Sequence, residues 1–300
     1  MNKEGNKYQF EYKMKMAKEF EASGRLLHAV QLYNNLIEEY PEESEAYFNL
    51  ADLYEHFDQV DAGTNLLKKF LNRDSENKVV RIFLGQYLMR NEKWREANNI
   101  LKYIAVEDEP VVSFFLGYSY FKLKNYECSK TNFLNFISIE EHSELVQEAY
   151  LYIAKIEVEL SDYKNALVFA KKAEVLFENS WELNAIYAIS YFNLAMYAHA
   201  IDPVEKAIKV NSREKSLKEL AGKIYLKTGD FLKAEENFLK YIELNETVSS
   251  ELYSNLGEAC FKGRKPKDAI AYYEMALKLD PENQSALKGI KNAAFALENG

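Results

Sequence analysis

Residues 250–283 read SELYSNLGEACFKGRKPKDAIAYYEMALKLDPEN. They form two short helical patterns with a turn between them. Two antiparallel helices approach closely only where side chains are small. Gly257 is therefore placed to face Ala269 across the hairpin, and Ala276 leaves room for the first helix of a following unit. Tyr253, Leu256 and Tyr273 fill the volume around those contacts. Asp280-Pro281 stops the second helix, because proline cannot continue it and disfavours helical geometry in the residue before. One such hairpin buries too little surface to stand alone, so the stretch implies copies of itself.

The same spacing runs back almost to the first residue. Tyr253, Leu256, Gly257, Ala269, Tyr273, Ala276 and Pro281 fall where the tetratricopeptide repeat has an aromatic, Leu, Gly, Ala, an aromatic, Ala and Pro, and the window resembles that family. Counted back at this period, eight tandem units are expected: 10–43, 44–77, 78–109, 110–146, 147–180, 181–214, 215–248 and 250–283. The clearest matches are Ala17, Gly24, Ala29 and Tyr33 in the first, Leu84, Gly85 and Ala97 in the third, Leu116, Gly117 and Phe133 in the fourth, and Gly222, Ala234 and Phe238 in the seventh. Several positions depart from the pattern. The second unit has Gly63 where Ala is usual, and the third is two residues short. The fourth has Ser129 for Ala, and Phe136 where the next helix should come close, so an irregular joint is expected at 136–146. Pro203 is expected in the first turn of a second helix. Residues 1–9 are polar and expected to be a flexible N-terminus, with no domain ahead of the repeats. Residues 284–300 read as a capping helix and tail, with Leu287, Ile290, Ala294 and Leu297 turned inward and Lys288, Lys291, Asn292 and Glu298 toward water. The resemblance implies an all-α fold, a right-handed α-solenoid of about eight hairpins closed by that helix.

Composition fits. The chain has 300 residues, 48% of them hydrophobic and 28% charged, which suits a soluble protein with a large core. With only 5 Pro and 11 Gly, long irregular segments are not expected. The net charge of −9 lacks the basic footprint that nucleic-acid binding requires. The most apolar run, 110–121, is too short to cross a bilayer, and the N-terminus lacks the pattern of a signal peptide. Cys128 and Cys260 lie four repeats apart, too far for a disulfide, and a cytoplasmic location is expected.

No catalytic constellation stands out. The phosphate-loop, dinucleotide and nucleophile-elbow motifs are absent. His28, His56, His142 and His199 occupy four different units without ligand spacing, and neither cysteine has an activating neighbour. The expectation is a chain that is no enzyme and takes no cofactor or metal.

In this family the first helix of each repeat lines an inner, concave wall. Carried onto this sequence, that rule gives an apolar wall in the third to sixth units, with candidate partner-binding residues Phe83, Phe115, Tyr118, Phe121, Tyr152, Ile189 and Phe192. Glu45, Asp52 and Glu55 form an acidic end, and Lys223 and Lys227 a basic one suited to an acidic end of the ligand. Such a groove fits an extended segment or an amphipathic helix of a protein or peptide ligand. The family's clamp for carboxylate tails needs Lys and Arg where this chain has Met14, Val79 and Phe83; only Asn49 fits, so that ligand is not expected. The reading is a non-catalytic adaptor or scaffold. Self-association into a homo-oligomer, or service as the targeting subunit of a separate enzyme, are the alternatives.

Overall fold

The computed structural model describes residues 3–245 and 247–298, which form seventeen α-helices and no strand. The chain divides into two compact units, 1–141 and 142–300, within the segment where an irregular joint was expected. The first unit holds four hairpins: α1 (Lys3–Ala22) with α2 (Leu26–Glu39), α3 (Ser44–His56) with α4 (Val60–Leu71), α5 (Lys78–Arg90) with α6 (Trp94–Leu101), and α7 (Val111–Lys122) with α8 (Tyr126–Ile139). The second holds α9 (Leu145–Glu159) with α10 (Tyr163–Phe177), α11 (Trp181–Asn193) with α12 (Tyr197–Val210), α13 (Lys215–Thr228) with α14 (Phe231–Glu243), α15 (Ser250–Lys262) with α16 (Pro266–Leu279), and a last helix, α17 (Gln284–Glu298). Within each unit every helix packs on its sequence neighbours.

The packing repeats one device. Eight small, buried residues of the first helices (Ala17, Ala51, Gly85, Gly117, Ala154, Ala188, Gly222 and Gly257) are each followed sixteen positions later by a buried residue of the second helix. Size is traded across the pair. Where the second residue is Phe133, Phe238 or Tyr273, the first is glycine, and an added Cβ would sit 2.9, 2.5 and 2.7 Å from the ring. Where it is Leu67, Ala170 or Val204, the first is alanine; the trade is looser in two pairs, where Ala17 stands against Tyr33 and Gly85 against Leu101. The nearest side chain to Gly257 is thus the ring of Tyr273, nearer than the expected Ala269. The polar Ser129 fits its small-residue site because its hydroxyl donates to the Gly117 carbonyl at 2.7 Å.

All eight hairpin turns close alike. A link of three residues, or two between α13 and α14, leaves one residue in the left-handed region, and the next N–H donates back to a carbonyl five residues earlier: Gln59 to Tyr54 at 2.7 Å, Lys93 to Leu88 at 2.8 Å, Met196 to Tyr191 at 2.8 Å. This is the helix-terminating pattern that favours glycine. Gly24 and Gly229 supply it, but Asp58, Glu92, Lys124, Ser161, Ala195 and Arg264 hold φ of 57–62° in the same place.

Three expectations are corrected, and the shortness of the third repeat is located. Residues 3–9 belong to α1 rather than to a flexible end, while 1–2 and the expected tail at 299–300 lie outside the described residues. Pro203 lies in the middle of α12, which begins at Tyr197, so the helix tolerates a missing N–H instead of starting on it. The third unit's shortness falls on α6, which ends at Leu101 after eight residues; Ile104 in the following turn remains buried. The buried line of α17 is Ala286, Gly289 and Ala293, one position off the expected stripe, and Leu297 and Phe295 are 41% and 68% exposed. The cause is Tyr273 again: its ring fills the space where a Cβ on residue 289 would stand. Phe136, the unexpected large ring, turns into its own hairpin, edge to face with Phe114 at 5.5 Å.

Candidate functional site

In the first unit the faces of α3, α5 and α7 left uncovered by second helices form the candidate surface. Phe48 of α3 stacks on Phe83 of α5 with centroids 4.2 Å apart. Arg90, the last residue of α5, spreads over the Phe83 and Tyr87 rings at 5.8 and 5.6 Å and donates to Asp52 at 2.6 Å and Glu55 at 2.8 Å. Burial raises the Asp52 carboxyl above its ordinary range, and Arg90 opposes that rise. The acidic end expected from sequence is thus largely paired with cations of the same chain at the surface, with Glu45 held by Lys18 of α1 at 2.7 Å.

Beyond Arg90 opens a cleft of about 550 Å³, lined by Gln86, Met89, Arg90, Glu92, Trp94, Phe115, Tyr118 and Lys122. Trp94 and Tyr118 meet edge to face at 5.7 Å. Lys122, one helical turn after Tyr118, lays its ammonium over both rings at 5.7 and 5.5 Å. The Ser119 hydroxyl donates to the Trp94 carbonyl at 3.0 Å and ties the start of α6 to α7. Of the residues expected from sequence, the cleft gathers Phe115 and Tyr118. Phe83 lies under Phe48 and Arg90, and Phe121 turns to Tyr126 at the hairpin turn, 6.1 Å away. Trp94 was missed because it begins a second helix, and the family rule assigns the inner wall to first helices.

The second unit has two adjoining clefts on α9, α11 and α13. One, about 440 Å³, is lined by α11 and α13 and includes Trp181, Ala185, Ile189, Phe192, Leu217, Leu220 and Lys223. The other, about 170 Å³, is lined by α9 and α11 and includes Lys155, Val158, Glu159 and Glu182. Trp181, Ala185 and Ile189 border both, one above another on α11, so the two form a continuous furrow. Ile189 and Phe192 line it, whereas Tyr152 sits beneath the Lys155 ammonium at 5.0 Å. Trp181 opens α11 behind the Ser180 cap, a place the wall positions did not include.

The basic end is corrected too. Lys223 pairs with Glu219, one turn earlier on its own helix, at 2.7 Å and with Glu251 of α15 at 3.6 Å. Burial works against its charge, but the two carboxylates prevail and raise its pKa. Lys218 is buried, and burial lowers its pKa. Lys227 is exposed in the last turn of α13. The lysine stripe, read alone, omitted the acids that the same helix and the next one bring to it.

All four histidines are exposed, and among the described residues no group of three His, Cys, Asp or Glu side chains is placed to hold a metal ion. No helix among them is long and apolar enough to cross a membrane.

Comparison with known proteins agrees with this architecture. Residues 14–63, 217–248 and 250–283 match three sequence models of the tetratricopeptide repeat. The chain is 26% identical over 251 residues to anaphase-promoting complex subunit 3 of Schizosaccharomyces pombe, covering 71% of this chain and 38% of that protein. Among solved structures it resembles the APC/C hetero-tetramer Cut9–Hcn1 (14% identity over 89% of this chain and 52% of that one, TM-score 0.55). It also resembles PilW, a widely conserved type IV pilus biogenesis factor (14% identity over 71% and 98%, TM-score 0.54). At these identities the structural likeness shows the fold alone. The chain spans well under half the length of the curated relative and about half of the Cut9–Hcn1 chain it matches.

Proposed function

Because the chain is a tetratricopeptide-repeat protein, we propose that it acts as a non-catalytic scaffold that holds a segment of a partner protein against its first helices. The observation that carries this reading is the cleft of about 550 Å³ walled by Trp94, Phe115 and Tyr118. Aromatic side chains held half-buried by neighbours, beside a charged rim, are the composition of interface hot spots. Phe83 reaches that cleft through Arg90, and Phe121 lies at the hairpin turn beyond it; in the second unit Ile189, Phe192 and Lys223 line the furrow, with Tyr152 under Lys155 and Lys227 at the end of α13. The curated relative is named as a subunit of a multi-protein complex, which favours a scaffold among several chains over a solitary carrier. The reading includes a cytoplasmic location, supported by two cysteines that remain unpaired, one of them exposed.

The test is affinity capture from the native extract with the wild-type chain beside Phe115→Ala/Tyr118→Ala. The double variant is expected to lose a captured partner while its far-ultraviolet circular dichroism stays unchanged, since each hot-spot truncation costs about 2 kcal/mol or more. A partner retained equally by both proteins removes the cleft from the interface.

A further inference from the structure

The furrow of the second unit has a floor and a rim of different character. Its floor is apolar: Val158 of α9, Trp181, Ile189 and Phe192 of α11, Leu217 and Leu220 of α13. Its rim is acidic. Glu159, Glu182 and Glu219 line it, and Glu148 and Glu251 stand beside them, against Lys155 and Lys223. The two lysines that line the furrow are already engaged. Lys155 donates to Glu182 at 2.6 Å, and Lys223 is shared between Glu219 and Glu251. A carboxylate arriving from a ligand would have to compete with those partners, and would meet further carboxylates beside them. Glu182, Glu219 and Glu251 are shared with those lysines, but the carboxylates outnumber the lysines on both sides of the floor, so an ammonium or guanidinium would meet a net negative rim. The chain as a whole pulls the same way, with a net charge of −9.

We infer that the furrow over α9, α11 and α13 docks an amphipathic protein segment whose apolar side chains lie on Trp181 and Ile189 and whose polar side carries lysine or arginine. This rests on the scaffold reading above and adds to it the chemistry of the ligand. It reverses the polarity that Lys223 and Lys227 suggest in the sequence. The apolar floor supplies contact area; the acidic rim sets orientation and raises the encounter rate with a basic segment.

The chain has two tryptophans, so a Trp94→Phe background leaves Trp181 as the sole reporter on the furrow floor. Two synthetic amphipathic peptides with the same leucine spacing serve as probes, one with lysine and one with glutamate on the polar side. The lysine peptide is expected to shift Trp181 emission to the blue, saturably, and to bind more weakly as salt is raised. Its affinity is expected to fall roughly two- to thirtyfold in Glu219→Gln/Glu251→Gln, as loss of two rim pairings would give. Glu38→Gln/Glu107→Gln, two exposed acids of the first unit, is the control and should leave it unchanged. Circular dichroism of each variant confirms an intact fold. If the glutamate peptide binds as well or better, the charge inference is wrong while segment docking stands. If the control variant weakens binding as much as the rim variant does, or the rim variant does not weaken it, the attraction is to an acidic protein at large and the inference is overturned. If neither peptide moves Trp181, the furrow takes no segment, and the docking reading of this unit falls with it.

Discussion

Gly257→Ala is the sharpest test of the size exchange across the hairpins. Taken as a helix residue, the substitution should stabilise α15 by about 1 kcal/mol, because glycine is the poorest ordinary helix former. Taken as a packing residue, it should do the reverse. The new Cβ would stand 2.7, 2.8 and 3.0 Å from three carbons of the Tyr273 ring, where carbons rest comfortably at roughly 3.5–4.0 Å. The ring would have to retreat by most of an ångström. It is 3% exposed, and its other edge lies against Gly289 of α17. Overpacking of this kind costs about 1–3 kcal/mol, so the net is a loss of roughly 0–2 kcal/mol. The decisive comparison is the same substitution in a Tyr273→Ala background, where the obstacle is gone and the helix term alone remains. There Gly257→Ala should stabilise by about 1 kcal/mol, giving a coupling of roughly 1–3 kcal/mol. Urea unfolding followed by circular dichroism measures all four proteins, and hydrogen exchange of α15–α17 locates the effect. A loss of the same size in both backgrounds would refute the argument that the ring is what excludes a side chain at 257.

Three further outcomes are expected. Pro203→Ala should raise stability by roughly 1–3 kcal/mol in urea titration, since the restored N–H would meet the His199 carbonyl inside α12; an unchanged or lower midpoint would mean that the proline is accommodated without cost. Burial raises Tyr87, Tyr187, Tyr225 and Tyr273 to about 12 each, with Glu205 adding to the rise at Tyr225 through a hydrogen bond. The folded chain then keeps protons that the unfolded chain releases near pH 10, so stability is whole below about pH 10 and falls as pH climbs toward 12; tyrosinate absorbance should appear together with loss of helicity, and titration near 10 with helices intact would contradict this. Cys128 is exposed, whereas burial lifts the Cys260 thiol to about 12; a thiol reagent should therefore modify one cysteine quickly and the second only after unfolding, and two fast equivalents would place Cys260 at the surface.

The fold was readable because its rule is local and repeated. A small residue in one helix and a larger one in the next are visible at fixed spacing in Gly117 and Phe133, or Gly222 and Phe238, without any knowledge of the third dimension. What escaped the sequence depends on neighbours the pattern does not name. The stripe of α17 was misplaced by one position because Tyr273, from the preceding hairpin, decides which residue can face it. Lys223 read as a free cation because Glu251 comes from another helix. Trp94 and Trp181 were overlooked since each stands at the first residue of a helix, outside the positions the repeat rule assigns to the wall. Pro203 was misassigned because its local preference for a first turn yields to the tertiary packing of Ala200, Val204 and Ala207, all buried on one face of α12.

The left-handed turn residues have a practical consequence for engineering. Asp58, Glu92, Lys124, Ser161, Ala195 and Arg264 each carry a Cβ in a region that costs an L-residue about 1–2 kcal/mol. Glycine would relieve that cost at the expense of roughly 0.5–1 kcal/mol of chain entropy. A net gain of about 0.5–1 kcal/mol per site, over six sites, is of the same order as the whole stability of a small domain. All six lie at hairpin tips, and only Glu92 borders one of the clefts. The other five turns are therefore places where this solenoid can be hardened against heat while its candidate clefts keep every side chain they have.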